Sequence, residues 1–238
     1  MRRFALAIAL AFLLVSCEET IERIPRTTVV VSVGSAGPAL NALLELLPDG
    51  FQINPPADWD TLSLETAMAG VLVDGLPCDS ATVNVAGTVL PYDSTTSLYI
   101  PIDTSGLPIF LQLGAGDPVT IYSPYDTVRG TIPQCPDIVN IVVPDSQQAN
   151  TAMNVSWSYS SGTPDSVMIT FKIPGRETYT KIIGGQNTSF VIPSDKIDTT
   201  GLATVSVSSL VIETDLVGAT PGSFIIYNKS DFAPVVIY

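Results

Sequence analysis

The chain repeats itself once, in order, at a spacing of about 85–95 residues. Pro48-Asp49 recurs as Pro136-Asp137, and Thr66-Ala67-Met68 as Thr151-Ala152-Met153. Pro77-Cys78-Asp79-Ser80 is echoed by Pro164-Asp165-Ser166. Ser97-Leu98-Tyr99-Ile100-Pro101 returns as Ser189-Phe190-Val191-Ile192-Pro193, and Asp103-Thr104-Ser105-Gly106-Leu107 as Asp198-Thr199-Thr200-Gly201-Leu202. Such a period is the size of a domain, not of a solenoid repeat. Drift in the offset marks loop insertions, and one is visible: Ser194-Asp195-Lys196 has no counterpart between Pro101 and Ile102.

The repeated segments alternate apolar and polar residues with period two, as at Val83 and Val85, Ile169 and Phe171, 189–192 and 204–208. Val, Ile, Thr and aromatics dominate them, and Gly, Pro, Asp and Ser punctuate them at short intervals. The fold class is therefore all-β, two tandem sandwiches, with units at 27–135 and 136–238. Residues 27–47 are an N-terminal extension of the first unit. Within it Thr28 to Val33 reads as a strand. Residues 38–47 read two ways: as an amphipathic helix from Pro38 through Leu40, Leu43, Leu44 and Leu47, or as the second arm of a hairpin.

Val155-Ser156-Trp157-Ser158 resembles the second strand of a fibronectin type III or related immunoglobulin-like domain, with its core Trp. Strands at 166–173 and 189–192 follow at suitable distances. The resemblance implies a seven-stranded sandwich with Trp157 in its core. In the first unit, Leu72 stands where the repeat places the Trp.

The N-terminus reads as an address. Arg2 and Arg3 precede an apolar run from Phe4 to Val15. Those twelve residues would make a helix of about 18 Å, against a hydrocarbon core of ~30 Å. This suits a secretory h-region rather than a spanning anchor. Leu14-Val15-Ser16-Cys17 then resembles the lipobox of bacterial lipoprotein (type II) signal peptides. That resemblance implies cleavage of residues 1–16 and a diacylglyceryl thioether with palmitate-type chains on Cys17. It also implies localisation in the cell envelope, at the outer membrane on its periplasmic or surface face. Residues 17–26 form a tether carrying Glu18, Glu19 and Glu22, with a mean reach of about 18 Å.

Composition removes several functions. The chain has no histidine, which excludes Ser-His-Asp and Cys-His catalysis and His-ligated zinc or haem. Its net charge of -13 repels phosphate backbones, so nucleic acid is not an expected partner. Loss of Arg2 and Arg3 with the leader makes the mature charge -15 (8 bases against 23 acids). Cys78 and Cys135 are expected to form a disulfide in an oxidising compartment. It would close a loop worth on the order of 4 kcal/mol. The bridge carries a condition: Val119–Tyr122 and Thr127–Ile132, around the turn Ser123-Pro124-Tyr125-Asp126, must add a strand that returns Cys135 to the pole of Cys78.

Candidate binding residues are few. Trp59, between Asp58 and Asp60 in a loop unique to the first unit, could stack on a sugar ring, with Tyr122 and Tyr125 contributing to the same surface. Asp58 with Asp60, or Asp195 with Asp198, could touch calcium, but that ion wants six to eight oxygens, and turn-capping is the default reading of both pairs. No metal or cofactor is expected. Gly114-Ala115-Gly116-Asp117-Pro118 lacks the third glycine and the following helix of a dinucleotide loop, and reads as a turn. The expected function is a non-catalytic lipoprotein for binding, adhesion or spacing, held to the membrane by its lipid, with envelope proteins or glycans as partners. The alternatives are a carbohydrate-binding lipoprotein and, behind it, a carboxylate-dependent hydrolase, for which no acid pair is evident.

Overall fold

The computed structural model describes residues 24–35, 65–103 and 109–238. Cys17, Asp58, Trp59, Asp60 and residues 38–47 lie outside them. Nine strands make up the first half: β1 (Thr27–Ser35), β2 (Glu65–Val73), β3 (Leu76–Pro77), β4 (Thr82–Val85), β5 (Thr88–Leu90), β6 (Tyr92–Asp93), β7 (Leu98–Tyr99), β8 (Pro118–Tyr122) and β9 (Thr127–Thr131). The second half holds β10 (Ile138–Val142), β11 (Ser146–Gln147), β12 (Met153–Tyr159), β13 (Ser166–Lys172), β14 (Tyr179–Gly184), β15 (Ser189–Ile192), a 3-10 turn (Ser194–Lys196), β16 (Gly201–Glu213) and β17 (Phe224–Ile237). The described residues contain no α-helix.

The fold is all-β, and its duplication is plain in the strand order. A four-stranded sheet, β5-β4-β8-β9, faces β1-β2-β7 across the first core. A three-stranded sheet, β10-β12-β15, faces β14-β13-β16-β17 across the second. Each half is thus a three-plus-four immunoglobulin-like sandwich. Alternation explains the cores. Val29, Val31 and Val33 of β1 and Ala67, Ala69 and Val71 of β2 point into the first; Met153, Val155 and Trp157 of β12 point into the second. Trp157 is 5% exposed, a core residue as its strand register implied. Its counterpart on β2 is Val71, not Leu72, which points to the other face of its sheet. The sequence match at Thr-Ala-Met is one residue out of structural register, and one residue inverts a strand's faces.

The two sandwiches are not beads on a string. The β16–β17 hairpin pairs without a break from Gly201↔Ile237 to Glu213↔Ile225. Its base completes the second sandwich. Its outer half runs along the first, where β17 pairs parallel with β1 from Val30↔Phe224 to Gly34↔Asn228. The result is one ten-stranded sheet shared by both sandwiches. At the hairpin tip, Arg129 and Val217 exchange two backbone bonds, and Thr220 N–H donates to Thr27 C=O. Leu216, Ile225 and Tyr227 are buried in the first core, although they belong to the stretch read as the second unit.

Close approach at this seam dictates glycine. Gly34 has φ +119°, and a Cβ there would sit 1.9 Å from the Asn228 carbonyl oxygen, a backbone atom. β2 and β17 occupy both edges of β1 over residues 30–34; residues 38–47, read as a helix or a hairpin arm, lie outside the described residues.

The expected disulfide is also corrected. Cys78 and Cys135 are buried free thiols. β8 and β9 supply the last two of seven sandwich strands rather than an added one. Cys78 lies between β2 and β4, at the end of the sandwich where Thr82 pairs with Tyr122. Cys135 follows β9, whose Thr131 pairs with Pro118 at the other end of β8. Four residue steps of strand separate the ends, roughly 14 Å. A disulfide tolerates about 7 Å between Cα atoms. Instead Cys135 Sγ lies 3.2 Å from Ser209 Oγ, and Cys78 Sγ lies 3.6 Å from Ser80 Oγ.

Substitution and labelling both probe this geometry. Gly34→Ala should lower stability in chemical denaturation by ~3 kcal/mol, because the seam must open. Gly75→Ala, at φ +80° with nothing within 4 Å of the new Cβ, should cost only about 1 kcal/mol. Burial pushes the Cys135 thiol up to about 11. Without reductant, a thiol reagent at pH 8 should reach Cys78 and Cys135 only as fast as the protein opens, and both immediately in denaturant. A bridged pair would stay silent in both conditions.

Candidate functional site

A cavity of about 670 Å³ opens at the end of the second sandwich farthest from the seam. One wall is the β13–β14 connection. Phe171 pairs with Tyr179, and the chain reverses between them at Pro174-Gly175, where Gly175 has φ +78° and Arg176 N–H donates to Ile173 C=O. This presents Arg176, Glu177, Thr178, Tyr179 and Thr180 to the cavity. The opposite wall is the insertion peculiar to the second unit. Lys196 N–H donates to Pro193 C=O and Ile197 N–H to Ser194 C=O, closing the 3-10 turn. Ile197, fully buried in the second core, pins it. Asp195, Lys196 and Asp198 then face Arg176 and Tyr179, over a floor of buried Phe171 and Ile173.

The charged groups are already engaged with one another. Lys196 Nζ lies 3.2 Å from Asp195 and 6.0 Å from the centre of the Tyr179 ring. Arg176 donates to Thr199 Oγ1, which donates to Asp198 Oδ1 at 3.1 Å. Both charge signs, hydroxyls and one aromatic ring suit a small polar solute. Among the described residues, no group of three or more His, Cys, Asp or Glu side chains gathers to hold a metal ion. Asp195 and Asp198 instead serve Lys196 and Thr199.

Tyr122 and Tyr125 sit at the other extreme of the molecule, around the β8–β9 turn, 51% and 43% exposed. Arg26 takes one face of Tyr125, with its guanidinium carbon 4.5 Å from the ring centre. The same side chain ion-pairs with Asp74, and its Nε donates to Asp74 Oδ1 at 2.7 Å. Arg26 N–H and Thr27 Oγ1 donate to Asp126 Oδ2 at 2.9 and 2.8 Å. This pole is thus a clamp on the start of β1, with Tyr122 left as its open aromatic. Asp58, Trp59 and Asp60, the centre of the expected aromatic surface, lie outside the described residues. Gly114 to Pro118 forms the expected turn into β8, with Gly114 N–H on Asp117 Oδ2 at 2.7 Å. Sequence reasoning missed the cavity, although the insertion that walls it was the visible signal.

The clamp makes an electrostatic prediction. The hydrogen bond from Arg26 holds the Asp74 carboxyl below the usual carboxylate range. Depression means that the clamp's stabilisation is present above pH ~4 and is lost as pH falls through the folded midpoint. Carboxyl titration by NMR should show Asp74 below its ordinary value, returning toward it in Arg26→Ala.

No family model matches the chain, and no curated protein matches it. Among solved structures it is similar to a two-domain fibronectin type III segment of chicken tenascin, with 15% identity over 76% of this chain and 95% of that one and a TM-score of 0.31. It is also similar to the FN1–FN3 domains of chicken CNTN1, with 10% identity over 87% of this chain and 67% of that one and a TM-score of 0.26.

Proposed function

We propose that this chain is a lipid-anchored envelope protein that acts without catalysis, as a rigid spacer presenting a binding end away from the membrane. The observation that carries the reading is β17. Its fourteen residues run through both sandwiches, about 45 Å of continuous strand. The tether from Cys17 ends at Arg26, at the outer pole of the first sandwich. The cavity lies at the opposite pole of the second, past the last pairs of the hairpin, Gly201↔Ile237. A lipid on Cys17 would therefore place the cavity at the membrane-distal end. Arg2, Arg3, the apolar run and Leu14-Val15-Ser16-Cys17 support the anchor.

A glycan is the ligand class with a specific observation in its favour, since Tyr179, Thr178 and Thr180 line the cavity beside charges of both signs. The test has two arms. Cys17→Ala should move the protein from the membrane fraction to the soluble fraction, with loss of the acyl mass on the N-terminal peptide. Recovery of wild type in the soluble fraction with an unmodified Cys17 overturns the anchor. On a glycan array, wild type should bind and Tyr179→Ala should lose at least tenfold. Binding unaffected by Tyr179→Ala removes the cavity from the reading.

A further inference from the structure

Single apolar side chains scattered over a protein surface are ordinary, but apolar side chains gathered at one place mark a contact. The three most exposed large apolar side chains among the described residues are Ile24 at 83%, Leu76 at 70% and Val217 at 68%. All three stand at the Arg26 pole of the first sandwich, with Tyr122 and Tyr125 beside them. Local structure puts them there. Asp74 and Gly75, at φ +52° and +80°, make the two-residue hairpin turn that joins β2 to β3 and sets Leu76 opposite Val73. Asp74 N–H donates to Arg26 C=O, which fixes this turn to the chain two residues after Ile24. Val217 exchanges two backbone bonds with Arg129 on β9, and three residues further on Thr220 N–H donates to Thr27 C=O. Tyr122 ends β8 opposite Thr127, and Tyr125 lies in the turn between them. Backbone hydrogen bonds and the Arg26–Asp74 ion pair thus fix the segments that carry these side chains before any partner arrives, so little ordering is left to oppose a contact.

We propose that this pole rests on a lipid surface, with Ile24, Leu76 and Val217 entering the headgroup region and Tyr122 and Tyr125 at its boundary. The proposal rests on the lipid anchor at Cys17, and the position of that residue argues for the occupant. Seven peptide units separate Cys17 from Ile24, at most ~25 Å of chain. A lipid on Cys17 therefore keeps the pole close to the bilayer, where each encounter is intramolecular and a small patch suffices. Tyr side chains, with an apolar ring and a polar hydroxyl, suit the boundary between headgroups and acyl chains. Charge does not draw the pole in. Asp79, in the loop before β4, and Asp215, at the hairpin tip, are exposed there, and carboxylates repel anionic headgroups. The contact is apolar, so raised salt should leave it intact. Contact at several points also sets the direction in which the shared sheet leaves the bilayer, which an anchor alone does not.

Spin labelling of the full lipidated chain in phosphatidylcholine liposomes tests this. Leu76→Cys, Val217→Cys and, as an exposed control on the second sandwich, Val191→Cys would each carry one nitroxide, attached under native conditions in which Cys78 and Cys135 are buried. Collision with a water-soluble nickel chelate and with oxygen would be compared with the same labels on Cys17→Ala protein in solution. The expected result in liposomes is a nickel accessibility at least threefold lower at positions 76 and 217, an oxygen accessibility that does not fall, and no change at position 191. Labels at 76 and 217 that stay as open to nickel as in solution, on protein that floats with the liposomes, would overturn the docking and leave the anchor standing. A fall in both nickel and oxygen accessibility would mean a protein partner, a second copy included, and would also overturn it. Protein that does not float and carries an unmodified Cys17 would overturn the anchor and the docking together. Leu76→Asp with Val217→Asp should return a label at Tyr122→Cys to its solution accessibility while flotation persists; continued shielding of that label would count against the apolar contact.

Discussion

The structure depends on five residue pairs. From Val30↔Phe224 to Gly34↔Asn228, the last strand of the chain lies parallel to the first described one. This ladder joins two sandwiches into one sheet, and it brings Ile225 and Tyr227 to the valines of β1. Its partners are almost two hundred residues apart in sequence. Closing such a contact comes late in folding, after the local hairpins, because the loop entropy must be overcome first. The first sandwich therefore cannot finish its core until the C-terminal hairpin has been made. The duplicated units look independent in sequence and are interdependent in structure.

The seam explains what could and could not be read in advance. Strands β8, β9, β12, β13 and β15 were legible because each buries one face against one core, which leaves a clean alternation. β16 was legible only in part, over 204–208, and β17 was not read as a strand. Ser208 and Ser209 look like the end of a strand, and Asn228 to Asp231 looks like a turn. Both stretches are strand, crossing the gap between the two cores. Their polar side chains are answered there: Ser208 Oγ meets Ser230 Oγ at 2.7 Å, Asn228 Nδ2 donates to Val33 C=O at 3.1 Å, and Lys229 Nζ reaches Asp137 Oδ1 at 2.7 Å. Buried polar groups need such partners. A seam between two apolar cores is thus written in the residues that usually signal a loop.

The cysteines and the cavity escape the sequence for a related reason. Two cysteines and a leader-like N-terminal sequence favour a bridge on compositional grounds, but spacing carries no information about which pole of a sandwich a residue reaches. Strand count decides that, and the count turned on whether β1 belonged to the first unit. For the cavity, the insertion Ser194-Asp195-Lys196 was visible in the broken repeat. Its facing wall was not, since Arg176 to Tyr179 reads as an ordinary charged hairpin loop until β13 and β14 are paired.

Rigidity is what converts this architecture into reach. At Arg26 the Asp74 ion pair and the Asp126 hydrogen bond fix the start of the described chain to one pole. Beyond that point the distance to the cavity is set by the shared sheet and not by chain statistics. Two sandwiches joined by a free linker would sample bent arrangements and vary the distance between the two poles. Parallel pairing of β17 with β1 removes that freedom, because any bend at the seam must break ladder hydrogen bonds and expose Ile225 and Tyr227. The same pairing that makes the two halves fold together therefore holds the cavity at a defined distance from the Arg26 pole.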